Sequence, residues 1–129
     1  MSLPINATLH TFAFDCADSF ALANFYATLL GWHVDGDPND PEWVNVIPPA
    51  GTSTNFRIAF QQVANYTPPV WPDGPIPQQA HLDFRVPSIA EATPDALAAG
   101  ATLHEVQPGE RDGWIVFVDP AGHLFCLTE

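Results

Sequence analysis

The chain repeats itself. A pattern of strand, helix, strand, strand, strand occurs twice at an offset of about 70 residues, and such a duplication restricts the fold more than any single motif does. In the first copy, "LHTFAFDCADS" reads as a strand, and residues 19–30 then place Leu22, Phe25, Tyr26 and Leu29 on one helical face with Gly31 behind them as a stop. Asp18 or Ser19 can cap the helix start by accepting from the free amides of its first turn. Three strand-like runs follow, "WHVDG", "EWVNVIPPAG" and "NFRIAFQQV", divided by turn residues. The second copy has the same order: "AHLDFRV", a helix-like "SIAEATPDALAAG", "ATLHEV", "GWIVFVDPAG" and "HLFCLT". Gly31 answers Gly100, and Trp43 with "PPAG" answers Trp114 with "DPAG". The expected organisation is one domain over residues 1–129, with module 1 at about 7–64, a connector at 65–79 and module 2 at 80–129.

Two segments break the pattern. Pro94 falls inside the second helix, where it removes a hydrogen bond and clashes with the preceding turn, at about 3 kcal/mol in a continuous helix. The spacing therefore predicts Thr93 as cap and Pro94 at the first helical position, after a short turn from Ser88 to Glu91. The connector "NYTPPVWPDGPIPQQ" holds five prolines and a glycine, which excludes a helix or a central strand. Tyr66 and Trp71 within it predict an extended segment lying against the protein.

Charge narrows the function. The chain has fifteen acidic residues, three arginines (Arg57, Arg85, Arg111) and no lysine, for a formal net charge of −12. Nucleic acid and anionic membrane surfaces are disfavoured partners, and Schiff-base or P-loop chemistry lacks its amine. Cys16 and Cys126 sit in apolar, strand-like surroundings with no further cysteines, which favours a reduced setting, with one buried disulfide as the alternative. The N-terminus has no basic region followed by an apolar run, and no stretch reaches the roughly 18 apolar residues of a membrane span. The expectation is a cytoplasmic protein.

One strand carries unusual chemistry. In "QQAHLDFRVPS", His81, Asp83 and Arg85 alternate with Leu82, Phe84 and Val86, so one face meets the core and the other presents imidazole, carboxylate and guanidinium. Either Arg85 makes a salt bridge with Asp83 or Asp15, or the three residues form the polar floor of a pocket, with Arg85 anchoring a carboxylate or carbonyl.

The duplicated βαβββ unit, with "DSFALANFYATLLGW" in the first copy and "GWIVFVDPAGHLFCL" in the second, resembles the vicinal oxygen chelate superfamily of glyoxalase I, bleomycin-resistance proteins and extradiol dioxygenases. "PIPQQAHLDFRV" is similar to its glyoxalase-like members. The resemblance implies an α+β fold of two βαβββ modules forming an open eight-stranded cup, with ligands bound inside it. It also implies metal ligands on the first and last strand of each module. Those positions fall on His81, on its counterpart Thr11, on Cys126 and on Ala59 or Phe60, while His10 is one residue out of register. No carboxylate stands at the closing positions, so no cofactor and no stoichiometric metal is expected; a divalent ion, if present, would use His81.

The implied function is binding of a small-molecule ligand in the cup, through Thr11, Asp15, His81, Asp83, Arg85, Cys126, Trp71 and Trp114. The alternative is a metal-dependent lyase, isomerase or dioxygenase-type enzyme in which His81 is catalytic. In either case the resemblance implies a homodimer, and the charge disfavours a nucleic-acid or membrane partner.

Overall fold

A computed structural model describes residues 5–129. Module 1 contains β1 (Thr11–Cys16), α1 (Ser19–Leu30), β2 (His33–Asp37), β3 (Asp40–Ile47) and β4 (Arg57–Gln62). Module 2 contains β5 (Leu82–Arg85), α2 (Ile89–Ala99), β6 (Thr102–Leu103), β7 (Trp114–Val118) and β8 (Leu124–Thr128). The expected unit therefore occurs twice in an α+β fold. Each module folds into a four-stranded sheet, β1-β4-β3-β2 and β5-β8-β7-β6, with its first strand parallel to its last and the other pairs antiparallel. Among the described residues neither sheet closes on the other, which leaves an open architecture.

Helix α1 forms as its sequence dictates. The Asp18 carboxylate accepts from the Ala21 amide at 3.0 Å, and Gly31 ends the helix in the left-handed conformation (φ 70°), its N–H donating to the Ala27 carbonyl. Helix α2 departs from expectation. It begins at Ile89 with Ser88 as cap, accepting from the Glu91 amide at 3.2 Å, and Pro94 sits inside it. The proline stands in the second turn, where it lacks the N–H that would donate to the Ala90 carbonyl; around it the Thr93 hydroxyl reaches back to the Ile89 carbonyl at 2.7 Å and the Ser88 carbonyl accepts from the Ala92 amide at 3.0 Å.

Strand β6 is also shorter than "ATLHEV" suggests. Beyond Leu103 the Gln107 side chain takes over the edge of β7, its Nε2 donating to the Val116 carbonyl at 2.8 Å and its Oε1 accepting from the Val116 amide at 2.9 Å. One side-chain amide thus satisfies the ladder that a longer strand would have supplied.

The helix-facing sides of both sheets share one core. Phe14 and Phe60 of module 1 and Phe117 and Phe125 of module 2 are buried in it around Tyr26, whose ring stacks on Phe60 (5.5 Å between centroids) and meets Phe125 edge-on (6.2 Å). The Tyr26 hydroxyl donates to Asp119 Oδ2 at 2.7 Å, tying α1 to the turn after β7. Asp119 Oδ1 in turn accepts from the Ala121 and His123 amides at 2.9 and 3.0 Å. Within the described residues no helix is long and apolar enough to cross a membrane.

Burial holds the Asp119 carboxyl above its ordinary value of 3.8, with the Tyr26 hydrogen bond pulling the other way. A raised carboxyl contributes stability that is present in full below 3.8 and lost as pH rises through the folded value. Asp119→Asn keeps an acceptor for the loop amides and removes the charge, so it should gain stability on the parent as pH rises from below 3.8 towards neutrality. Urea unfolding of both proteins across that range tests this, and a difference independent of pH would contradict it.

Candidate functional site

The site grows from β5, an edge strand that pairs in parallel with β8 and places Asp83 directly opposite Cys126. Alternation puts the side chains of His81 and Asp83 on the open face, away from the helix-side core that holds Phe84. His81 Nε2 lies 3.1 Å from Asp83 Oδ1, and the Cys126 thiol lies within 4.8 Å of both groups. The side chains of His81 and Asp83 are 39% and 59% exposed, while Cys126 is buried. Desolvation, and then the charge of Asp83, push the Cys126 thiol up to about 11, so it is a neutral donor near pH 7.

These three residues line a cavity of about 350 Å³. Val116, Leu124 and Thr128 extend its strand face, and Trp71 and Gln78 of the connector, with Trp114 of β7, complete it. The connector lies against the protein as its aromatics predict: the Trp71 ring meets His104 edge-on at 5.0 Å. Trp114 is seated on Gly109, where a Cβ would come within 1.9 Å of the indole, so only glycine leaves room for that ring. Gln78 Oε1 is buried without a donor.

The structure brings His81, Asp83, Cys126, Trp71 and Trp114 together and leaves three other candidates out. Arg85 is exposed at the end of β5, in a groove against Leu29, Leu30 and α2, and pairs with neither Asp83 nor Asp15. Asp83 and Asp95 line the same groove, but among the described residues no carboxylate comes within ion-pair distance of the exposed guanidinium. Thr11 bonds the exposed His10 outside the cavity. Asp15 lines a second cavity, of about 480 Å³, beside β1. The lining of the first cavity comes from module 2 and the connector alone.

Sequence reasoning missed several residues. Period two from Cys126 reaches Leu124 and Thr128, and from Trp114 reaches Val116, so the strand rule was enough to find them. Gln78 stands in the proline-rich connector, where no period operates. His123, just after the turn that follows β7, is another: its Nε2 lies 2.6 Å from the Asp15 carbonyl and 3.1 Å from the Tyr66 hydroxyl, joining β1 to the connector beside the second cavity. Burial pushes Tyr66 up to about 12, which keeps the phenol neutral.

Strand register settles which residues correspond between modules. Trp43 opposes Gln61 as Trp114 opposes Thr128, and Ala13 opposes Ala59 as Asp83 opposes Cys126. The counterpart of Cys126 is therefore Ala59, not Phe60. A four-ligand centre shared equally by both modules has no donors in module 1, since Ala13 and Ala59 offer no ligand atom and Thr11 only a hydroxyl. Module 2 alone offers three donors, His81, Asp83 and Cys126, whose ligand atoms lie within 4.8 Å of one another. That set suits a borderline-soft ion such as zinc with one position open.

A family model described as a glyoxalase-like domain matches residues 11–128. The chain belongs to the glyoxalase-like domain family. Among solved structures this glyoxalase-like domain is similar to a glyoxalase/bleomycin resistance protein/dioxygenase family enzyme from Burkholderia phytofirmans, at 20% identity and a TM-score of 0.65 over 94% of this chain and 97% of that one. It is similar to a glyoxalase-related enzyme from Fulvimarina pelagi at 20% identity and a TM-score of 0.62, covering 94% and 86% of the two chains. An antibiotic binding protein from Streptomyces matches at 15% identity and a TM-score of 0.58, covering 96% of each. At such identities the likeness is one of fold. No curated protein matches the sequence.

Two outcomes follow for the glyoxalase-like domain. Among the described residues Arg85 makes no ion pair, so Arg85→Met should change unfolding stability by no more than about 0.5 kcal/mol in urea titration. Cys16 and Cys126 are free and buried, and burial pushes each thiol up to about 11. A thiol reagent near pH 7 should therefore label neither in the native protein and both after denaturation; rapid native labelling of Cys126 would show an accessible thiolate.

Proposed function

We propose that this glyoxalase-like domain is a cytoplasmic small-molecule binding protein whose ligand sits in the module 2 cavity, without the superfamily's complete metal centre. The observation that carries the reading is the meeting of Trp71 and Trp114 with the His81–Asp83–Cys126 cluster in one cavity, while module 1 offers Ala13 and Ala59 at the equivalent places. His81 and Asp83 act as hydrogen-bonding groups, the tryptophans supply apolar contact, and Cys126 is the buried floor. Arg85, Thr11 and Asp15 lie outside this binding set. We further propose a two-fold homodimer. The module 1 sheet presents Trp43 on its face away from the core at 44% exposure, a surface suited to a second copy. Sedimentation at micromolar concentration should show a dimer.

A second reading is favoured by the three-donor set. In a metal-dependent lyase, isomerase or dioxygenase, His81, Asp83 and Cys126 would hold the ion, and the ion would supply Lewis-acid polarisation of a substrate oxygen. Elemental analysis separates the two. Less than stoichiometric metal is expected in protein purified without added ions, and one tightly held ion per chain would shift the balance to the enzyme.

The binding reading is tested by a thermal-shift screen of small metabolites against wild type, Trp71→Ala and His81→Phe. A ligand at about one hundred times its Kd adds about 2.7 kcal/mol of stability, so hits should be plain. They should disappear in Trp71→Ala and weaken in His81→Phe. Hits that survive unchanged in both variants would move the site elsewhere.

A further inference from the structure

The cavity constrains the charge of its occupant. The charged group of its lining is the Asp83 carboxylate, with His81 Nε2 engaged on it at 3.1 Å. Trp71 and Trp114 add indole rings, whose faces attract cations. Countercharge for an anion is missing. The chain has no lysine, and all three arginines lie outside this cavity: Arg57 beside the loop that follows β3, Arg85 in the groove against α2, and Arg111 exposed in the loop before β7. A carboxylate or phosphate entering here would meet Asp83 with no lysine or arginine to offset it, in a protein of net charge −12.

Resting on the binding reading above, we infer that the ligand is an organic cation with an aromatic or apolar body, a protonated amine or a quaternary ammonium. Its nitrogen is directed to Asp83, and its body lies against Trp71 and Trp114. The arrangement reverses the ligand polarity that Arg85 suggests when His81, Asp83 and Arg85 are read along the strand.

Four probes with a phenyl group on a short chain test the assignment: phenethylamine, phenethyltrimethylammonium, 2-phenylethanol and 3-phenylpropionate. Each is titrated calorimetrically into chelator-treated wild type, Asp83→Asn and Trp71→Leu. Asp83 is more than half exposed, so the neutral amide is tolerated, and thermal unfolding of each variant confirms that it is folded. The two cations should bind at least about tenfold more tightly than the alcohol, with no binding of the carboxylate. Asp83→Asn should abolish that margin and leave alcohol binding in place, while Trp71→Leu should weaken cations and alcohol alike.

Equal affinity for alcohol and ammonium, tighter binding of the carboxylate, full cation affinity in Asp83→Asn, or binding of none of the four at millimolar concentration would each overturn the cation assignment. Failure of the cavity reading has a different signature. Cation binding that survives intact in both Asp83→Asn and Trp71→Leu places the site elsewhere, whereas Trp71-dependent binding with no preference for charge keeps the cavity and removes only the charge assignment.

Discussion

The hydroxyl of Tyr26 reaching the carboxylate of Asp119 is the contact on which the two modules depend. Tyr26 is fully buried, and its ring touches aromatic residues from both sheets. A buried phenol facing a buried carboxylate is costly when either partner is missing, so each demands the other. Asp119 also organises the turn that carries His123, and His123 reaches across to β1. A short polar chain inside an apolar core therefore sets how one module sits on the other, where apolar packing alone tolerates several arrangements.

That docking explains the shape of the site. Because the helix-facing sides of both sheets are spent on the common core, the open face of module 2 is covered by the connector instead of by module 1. Trp71, Gln78 and Trp114 then become walls around His81, Asp83 and Cys126. The connector is a structural part of the cavity, but it is not extended as its prolines suggest: it bends back on itself, with the Val70 amide donating to the Ile76 carbonyl at 2.7 Å.

Much of this was legible in the residues, and the exceptions share a cause. The duplicated order of elements, both glycine stops and the shared face of His81 and Asp83 follow from local periodicity and turn chemistry, which act over a few positions. Pro94 was misjudged because the Ser88 cap starts the helix ahead of it, so the proline falls in the second turn and gives up one hydrogen bond without ending the helix. Strand β6 ends early because the side-chain amide of Gln107, in the loop that follows it, takes the ladder place at Val116. Arg85 shares a face with Asp83 by alternation, yet where a long side chain goes at the end of an edge strand depends on what surrounds it in three dimensions. Gln78 and His123 gained their places through long-range packing, which no period in the sequence encodes.

The shared strand register has a consequence for engineering. Thr11, Ala13 and Ala59 occupy in module 1 the places that His81, Asp83 and Cys126 occupy in module 2. The duplication has thus left one half as an undecorated copy of the other, with matching backbone and blank side chains. Writing histidine, aspartate and cysteine into those three positions would build a twin of the cluster on a scaffold already shaped for it, and comparing twin with original would separate what the strands contribute from what the connector adds.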